Sequence, residues 1–274
     1  MQFGAALSGK SLTLNFQDAR RVALKADELE FHSIWMSDHL MHPFQVGELP
    51  MYYCHEAWTV MTALAALTKK VRLGFSMLIP GFRYPSVLAK MAASLDEISN
   101  GRLVMGVGAG WFKQEYDAYG IPWQEHDKLI EMEREAVLVM KALWTQPVAN
   151  FTGRYYHVKE AVMEPKTVQK PHPPVWIGGD SPKTMELAGQ LGDGWFSRHT
   201  PPQLLKEKIN SVKKSVGERP MEYATSLGDL PSGKDSETID EIQRYAKAGV
   251  TLLTILFQDA NALQGFAERI LPSI

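Results

Sequence analysis

A disulfide cannot form within this chain, because it contains a single cysteine, Cys54. That scarcity is typical of proteins kept in a reducing compartment. The sequence also lacks an uninterrupted apolar run of the roughly 18 residues that a membrane-spanning helix needs. Its first residues, MQFGAALSGK, lack the basic segment and long apolar stretch of a signal peptide. We therefore expect a soluble, cytoplasmic protein with no membrane partner.

Neither sign of charge is in excess, because 29 Lys and Arg residues face 31 Asp and Glu residues, for a net charge of -2. Nucleic acids and anionic membranes attract strongly basic proteins, so this balance gives no reason to expect either as a partner. The composition, 45% apolar and 22% charged, is that of an ordinary globular protein. Its 274 residues suffice for one large α/β barrel or for two small domains.

Short β-rich segments alternate with longer helical patterns along the chain. In the first helical pattern Ala19, Val22, Ala23 and Ala26 recur at the spacing of one helix face. The alternation gives eight strand–helix pairs, and eight pairs in about 250 residues are typical of an α/β protein with a (β/α)8 TIM barrel. The predicted strands are FGAAL (3–7), SIWMSD (33–38), VRLGFSMLI (71–79), RLVMGVGA (102–109), PVWIGG (174–179), GWFS (194–197), MEYATSL (221–227) and TLLTILF (251–257).

A doubly wound parallel sheet is the alternative fold, since it also alternates strands and helices. Such a sheet normally carries a G-x-G-x-x-G turn after its first strand, and here SGKSLTLN follows that strand. The glycine-rich stretch GVGAGW (106–111) fails the spacing, because Trp111 stands where the third glycine would be. The pattern therefore favours a barrel, which we expect to form one domain over residues 1–274.

One segment, residues 145–173, interrupts the alternation with prolines, a glycine and aromatic residues that show no sustained period. Segments of this length between elements are usually functional. We expect an insertion before the fifth barrel strand that lies over the barrel mouth and helps to line a substrate pocket.

The second predicted strand ends in two titratable residues, Asp38 and His39. The carboxyl ends of barrel strands carry the chemistry in TIM barrels. An imidazole there can exchange a proton near neutral pH, and an adjacent carboxylate can orient it or raise its pKa. The alternative is that Asp38 caps a turn and His39 is merely exposed.

Two glycine-containing turns follow other strands at the same end of the barrel. In WIGGDSP, Gly178 and Gly179 precede Pro182 at a helix start, where backbone N–H groups can bind an anion. A plain turn with Asp180 or Ser181 as the helix N-cap is the alternative. VGAGW after the fourth strand offers a second stretch of bare backbone. Together the turns favour a flat ring in the mouth with a phosphate-bearing tail over the glycines.

A metal site is the other candidate for this end of the barrel. His32, His39, His42 and His55 fall close together in the sequence. However, no H-x-H follows the first strand, and no acid–histidine cluster converges from later strands. We therefore expect no metal cofactor.

Long blocks of the sequence resemble the luciferase-like flavin oxidoreductases, and within them the single-component branch that uses the deazaflavin coenzyme F420. The blocks are WMSDHL, LTKKVRLGFSMLIPGFRYPSVLAKMAASLDEISNGRLVMGVGAGWFKQEYDAYGIPW, PPVWIGGDSPKTMELAGQLGDGW and YAKAGVTLLTILF, in the family's order. The resemblance implies a TIM barrel with an insertion, a homodimer, and hydride transfer between coenzyme F420 and a small organic substrate. FMN-dependent monooxygenation and a non-catalytic flavin-binding protein are the alternatives.

The resemblance also implies roles for individual positions. His39 and Asp38 match the pair that faces the coenzyme ring, with His39 as the proton carrier. Ser76 and Met77 match a strand end that often has a non-prolyl cis peptide. Including Gly178 of the glycine pair, the expected coenzyme contacts are Asp38, Ser76, Met77, Ile79, Ala109, Gly110, Gly178, Gly179, Asp180 and Ser181.

Two positions depart from the family pattern. The relatives that oxidise a sugar phosphate carry an acid where this chain has Trp111, and a buried indole can neither take up nor donate that proton. Trp111, His42, Arg198 and His199 are therefore expected to line a different substrate pocket. Glu30 stands where relatives usually have glycine, which we interpret as a helix-end variation without consequence.

Overall fold

The computed structural model describes residues 1–9, 14–43, 53–230 and 234–274. Eight parallel strands close into a barrel, in the order β1-β10-β9-β8-β7-β4-β3-β2, and a separate antiparallel pair is formed by β5 and β6. The strands are β1 (Gln2–Ala6), β2 (Ser33–Met36), β3 (Arg72–Phe75), β4 (Leu103–Gly108), β5 (Ala149–Thr152), β6 (His157–Ala161), β7 (Val175–Gly178), β8 (Gly194–Ser197), β9 (Glu222–Asp229) and β10 (Leu252–Leu256). The predicted TIM barrel is confirmed, and each of the eight predicted strands contributes to it.

Helices surround the barrel and connect its strands. They are α1 (Phe16–Glu28), α2 (Ala57–Leu67), α3 (Pro85–Ile98), α4 (Lys113–Ala118), α5 (His126–Thr145), α6 (Pro182–Leu191), α7 (Pro202–Val216), α8 (Asp235–Ala248) and α9 (Ala260–Arg269). Their starts follow ordinary capping chemistry: Asn15 accepts the N–H of Asp18 at 3.0 Å, and Pro85 opens α3 at its first turn. Within the described ranges, no helix is long and apolar enough to cross a membrane.

Large aromatic side chains fill the inside of the barrel. Trp35 lies 5.2 Å from Trp176 and 5.5 Å from Phe196, measured between ring centroids. A glycine on the neighbouring strand makes room for them, since a Cβ at Gly74 would lie 2.5 Å from the indole of Trp35. The barrel is therefore a packed core rather than a pore, and Met77 packs against its upper side. Ligand space is left at the mouth.

The insertion before the fifth barrel strand, β7, contains the β5–β6 hairpin, but the structure does not place it over the mouth. No residue of 145–173 lines the mouth cavity. The hairpin turn instead contacts α5, where Glu135 accepts the N–H of Arg154 at 2.7 Å. Further along, Gln169 hydrogen-bonds to Asp96 of α3 and to the carbonyl of Leu103, at the opposite end of β4. The expectation that this segment helps to line the pocket is corrected accordingly.

Glu30 adopts a left-handed backbone conformation, with φ of 56°. Glycine takes this conformation freely, whereas a residue with a Cβ pays about 1–2 kcal/mol for it. This conformation explains why the resemblance implies glycine at position 30. Glutamate there lowers the stability of the fold, so the expectation of a variation without consequence is wrong.

Apolar side chains are exposed on the outer face formed by α2 and α3. Leu67, Val87 and Ile98 are exposed at 42%, 55% and 52%. A shallow groove of about 220 Å³ between the two helices includes Trp58 and Met91. The predicted homodimer, with this side of the barrel as its interface, stays a prediction.

Candidate active site

A cavity of about 1030 Å³ opens among the carboxyl ends of the barrel strands. Small-molecule pockets commonly measure about 300–1,000 Å³, so this one has room for a coenzyme together with a small substrate. The sequence-predicted site residues all lie on its wall: Asp38, His39, His42, Ser76, Met77, Ile79, Ala109, Gly110, Trp111, Gly178, Gly179, Asp180, Ser181, Arg198 and His199.

His39 is held by a buried carboxylate. Its Nδ1 lies 3.2 Å from Oε2 of Glu115, and the two side chains are exposed at 17% and 2%. Oε1 of Glu115 accepts the backbone N–H groups of Leu40 at 2.5 Å and Met41 at 2.9 Å. Because the carboxylate can only accept, Nδ1 carries the hydrogen of this bond. Nε2 is then the ring nitrogen that can take up a proton from a ligand.

Glu115 is a functional residue that the sequence analysis missed. It lies on α4, a helix of six residues in the loop after β4. The segment WFKQEYDAYG carries no sustained apolar period, so its helix was not predicted. The one available signal was an acidic residue shortly after a barrel strand end, where the loops build the mouth. An acid four residues after Trp111 is thus in contact with His39, while position 111 itself still departs from the family pattern.

Asp38 does not orient His39, contrary to the sequence interpretation. Its carboxylate accepts both branches of Arg83, at 2.6 Å and 2.9 Å, and the backbone N–H of Ile79 at 3.0 Å. Asp38 is 1% exposed, so Arg83 neutralises a buried charge. Burial lowers the pKa of Arg83, but its hydrogen bonds to Asp38 and Glu56 outweigh this and raise the pKa. Asp38 therefore ties the segments that follow β2 and β3 together at the cavity wall.

The end of β3 supplies one wall of the cavity. The peptide bond between Ser76 and Met77 is cis, as the resemblance implied. Ile79 lines the cavity next to them, and its N–H is engaged by Asp38 while its carbonyl accepts the N–H of Phe82 at 3.0 Å. The N–H of Ile79 is therefore not available to a coenzyme ring, whereas its side chain and the second lone pair of its carbonyl are.

The loop after β4 supplies a second wall. Gly110 has φ of 88°, a conformation that a residue with a Cβ rarely adopts. The carbonyl of Ala109 accepts the hydroxyl of Tyr116 at 3.4 Å, and burial raises the pKa of that hydroxyl. Trp111 is 45% exposed, so the expectation of a buried indole is wrong. Its ring lies 6.1 Å from that of His39 and at right angles to it, between ring centroids.

The loop after β7 caps a helix, as the plain-turn interpretation expected, while the anion site stays a prediction. Ser181 is the N-cap of α6, because its Oγ accepts the N–H of Thr184 at 3.1 Å. Asp180 is turned into a polar cluster, where Lys208 Nζ lies 2.8 Å and Ser197 Oγ 2.6 Å from Oδ1. Its charge is thereby neutralised and does not oppose an anion at the helix start. Gly179 has φ of 137°, so a substitution there strains the backbone whether or not a ligand binds.

The remaining wall holds three of the expected pocket residues. Nε2 of His42 donates to the carbonyl oxygen of Gly9 at 2.9 Å, because a carbonyl oxygen can only accept. Arg198 lies over the indole of Trp111, with Cζ 4.5 Å from the ring centroid. His199 lies on the wall beside it. In the described part of the chain, no group of three His, Cys, Asp or Glu side chains is placed to hold a metal ion.

Residues 1–228 match the family model of the luciferase-like monooxygenases, which is most of the chain. The chain belongs to the luciferase-like monooxygenase family. The resemblance inferred from the sequence blocks is thus confirmed at the level of the family.

Relatives within this family use different flavin coenzymes. The chain is 34% identical, over 183 residues, to the F420-dependent glucose-6-phosphate dehydrogenase of Amycolatopsis mediterranei (strain U-32), covering 66% of this chain and 53% of the relative. It is 28% identical, over 217 residues, to the FMNH(2)-dependent dimethylsulfone monooxygenase of Pseudomonas putida, covering 79% of this chain and 57% of the relative. The chain therefore spans about half the length of the curated relatives it matches.

One similar solved structure superposes along nearly the whole chain. An F420-dependent secondary alcohol dehydrogenase, in complex with an F420-acetone adduct, gives a TM-score of 0.84 at 26% identity. The superposition covers 98% of each chain. The two proteins therefore share the fold along nearly the whole chain.

Proposed function

We propose that the protein is a coenzyme F420-dependent oxidoreductase that moves a hydride between the deazaflavin and a small organic substrate. The observation that carries the proposal is the pairing of His39 with the buried carboxylate of Glu115 on the wall of the mouth cavity. An imidazole whose Nδ1 is fixed by a carboxylate can exchange a proton through Nε2, which is what interconversion of an alcohol and a carbonyl compound requires.

The cavity suits a flat ring with an anionic tail. Bare backbone at Gly108, Ala109 and Gly110 lies on one side, and the Ser76–Met77 peptide on another. The start of α6, capped by Ser181, offers N–H groups to a phosphate, and Lys208 has already neutralised Asp180 there. When bound, the deazaflavin supplies the two-electron acceptor or donor of a hydride.

The chain's own residues then have separable tasks. Glu115 holds the imidazole of His39 in the tautomer whose Nε2 accepts a proton. In oxidation, that nitrogen takes the hydroxyl proton of the substrate as its C–H hydride leaves; in reduction, it returns the proton to the carbonyl oxygen. Trp111 lies on the cavity wall beside His39, with its ring at right angles to the imidazole.

FMN-dependent monooxygenation is the second candidate, and the dimethylsulfone monooxygenase of Pseudomonas putida is the observation that favours it. The two dehydrogenases named above favour coenzyme F420, and a residue placed for proton exchange agrees with dehydrogenation. A flavin-binding protein without turnover would have no need of the His39–Glu115 pair.

Fluorescence titration of the purified protein with coenzyme F420 and with FMN tests the proposal. We expect micromolar or tighter binding of coenzyme F420 and binding of FMN that is weaker by about tenfold or more, or 1.4 kcal/mol. Riboflavin, which lacks the phosphate, serves as the matched ligand for the tail and should bind less tightly than FMN. Equal or tighter binding of FMN would overturn the choice of coenzyme.

A further inference from the structure

Arg198 is a cation of the cavity wall that no carboxylate neutralises within the described residues. Its guanidinium lies over the indole of Trp111, 4.5 Å from the ring centroid, and makes no ion pair there. Asp180 is the one charged group that raises its pKa against the larger, lowering effect of burial. That carboxylate is already paired with Lys208, at 2.8 Å. An arginine stays charged in such surroundings.

Three other charges of the cavity wall, those of Asp38, Glu115 and Asp180, are matched within the chain. Asp38 is bound by Arg83, and Glu115 by His39 with two backbone N–H groups. Arg198 differs from them because its partner in the chain is an aromatic face. An indole holds a guanidinium in place by a cation–π contact but accepts none of its N–H groups as a carboxylate would. The edge of the guanidinium keeps the fork of donors that matches a carboxylate or a phosphate.

Trp111 places this cation close to the proton carrier. The guanidinium carbon is 4.5 Å from the indole centroid, and that centroid is 6.1 Å from the ring of His39. The distance from the guanidinium carbon of Arg198 to the ring centroid of His39 therefore cannot exceed the sum of these two distances. A molecule of a few carbon atoms can span them, with its reacting oxygen at His39 and an anionic group at Arg198.

We propose that Arg198, stacked on Trp111, binds an anionic group of the substrate, a carboxylate or a phosphate, so that the natural substrate is a short alcohol or carbonyl compound that carries a negative charge. The proposal rests on the proposed function for the reacting oxygen, but the anion subsite itself is independent of which coenzyme binds. The anionic tail of the coenzyme is the other source of the same chemistry, and the test separates the two.

Binding of butanoate, measured by calorimetry, is the first arm of the test. It is performed on the protein saturated with whichever of coenzyme F420 and FMN binds, so that the tail site is already filled. We expect butanoate to bind the wild-type complex and Arg198→Gln to weaken this binding about tenfold or more, as the loss of a charge-assisted pair implies. Arg154→Gln is the matched control, because Arg154 also lies over an aromatic ring, that of Tyr155, but away from the cavity.

Turnover of a matched pair of alcohols is the second arm. The wild type should prefer 4-hydroxypentanoate to pentan-2-ol in kcat/KM, and Arg198→Gln should lose that preference mainly through KM. The affinity of the variant for the coenzyme should stay within about threefold of the wild type. Loss of coenzyme affinity with butanoate binding unchanged would assign Arg198 to the tail and overturn the proposal, as would equal weakening by Arg154→Gln. FMN could bind as tightly as coenzyme F420 or more tightly while butanoate binding still depends on Arg198. The anion subsite would then stand, and the proposed F420-dependent function would fall.

Discussion

Replacing Glu115 by glutamine should disable His39 without removing it. Oε1 of Glu115 accepts two backbone N–H groups, those of Leu40 and Met41, while Oε2 accepts Nδ1–H of His39. A glutamine has one carbonyl oxygen and one NH2 group, and the two backbone donors require the oxygen. The NH2 group then faces Nδ1 and donates to it. The hydrogen of the neutral imidazole moves to Nε2, which can no longer accept the proton of a substrate.

The size of the fall in kcat follows from the loss of general acid–base catalysis by His39. General acid–base catalysis contributes roughly 10²–10⁴-fold, so kcat in the Glu115→Gln enzyme should fall by that factor, or about 3–5 kcal/mol of activation free energy. Both backbone donors keep an acceptor, although a neutral one, so the unfolding free energy should fall by only about 1–2 kcal/mol. Coenzyme affinity should change less than tenfold, because Glu115 contacts His39 and the backbone.

Steady-state turnover and stability are measured for Glu115→Gln, for His39→Ala and for the double variant. If Glu115 acts through His39, the double variant should have the same kcat as His39→Ala alone, because the removed residues work as a unit. Glu115→Asp should recover part of the activity, since its carboxylate restores an acceptor for Nδ1–H.

Asp117→Asn is the matched control on the same helix, because Asp117 is exposed and pairs with Lys113 on the surface. It should leave kcat unchanged. Unaltered turnover in Glu115→Gln would refute the tautomer reasoning, and so would multiplying effects in the double variant, which would show that the two residues act separately. Unaltered turnover in His39→Ala would remove the proton carrier itself.

Three other perturbations test the fold around the site. Arg83→Met should lower the unfolding free energy by about 3–5 kcal/mol in urea denaturation, because it leaves the charge of Asp38 buried without its partner. Ile98→Glu should convert the expected homodimer to a monomer in light scattering, because it puts a charge on the exposed apolar face of α3. Burial without a hydrogen-bond partner raises the pKa of Glu133 to about 8, so the folded state keeps a proton that the unfolded chain loses above about 4.5. Stability from this group is therefore complete below pH 4.5 and is lost as the pH rises to about 8, and Glu133→Gln should remove a fall on the order of 3 kcal/mol between pH 5 and pH 8 in urea denaturation.

Each of these perturbations has a control within the chain. Adding Asp38→Asn to Arg83→Met should restore part of the lost stability, and simple addition of two losses would contradict the pairing. Leu204→Glu, at a side chain 52% exposed on α7, should leave the dimer intact; a monomeric wild type would remove the interface. Glu97→Gln, at an exposed position of α3, should retain the pH dependence that Glu133→Gln removes. An unchanged pH dependence in Glu133→Gln would exclude that carboxyl as its source.

The barrel could be predicted from the sequence because its signal is local and repeated. Each strand is a short apolar run and each long helix has a face of recurring apolar residues, as with Val22, Ala23 and Ala26 in α1. The position of the chemistry followed, since the carboxyl ends of parallel strands meet at one end of the barrel. His39 could therefore be placed at the mouth from its position after β2.

The partners of the site residues could not be predicted in the same way. His39 and Glu115 are 76 residues apart, and Asp38 and Arg83 are 45 apart. Which side chains meet over such separations is decided by the packing of loops that carry no period. The path of the insertion has the same cause: residues 145–173 could be recognised as irregular, but nothing in their pattern showed that they contact α3 and α5.

The neighbouring residues Asp38 and His39 show why adjacency in sequence is a poor guide to function at a strand end. The sequence interpretation joined them as one acid–base pair, whereas each has a separate partner: Arg83 for Asp38, and Glu115 for His39. No hydrogen bond or ion pair among the described residues joins one pair to the other. Loss of the first pair should therefore appear in the unfolding free energy, and loss of the second in kcat. In the double variant, the unfolding free energy should fall as far as in Arg83→Met alone. Its kcat should fall as far as in His39→Ala alone, because effects at uncoupled sites are independent.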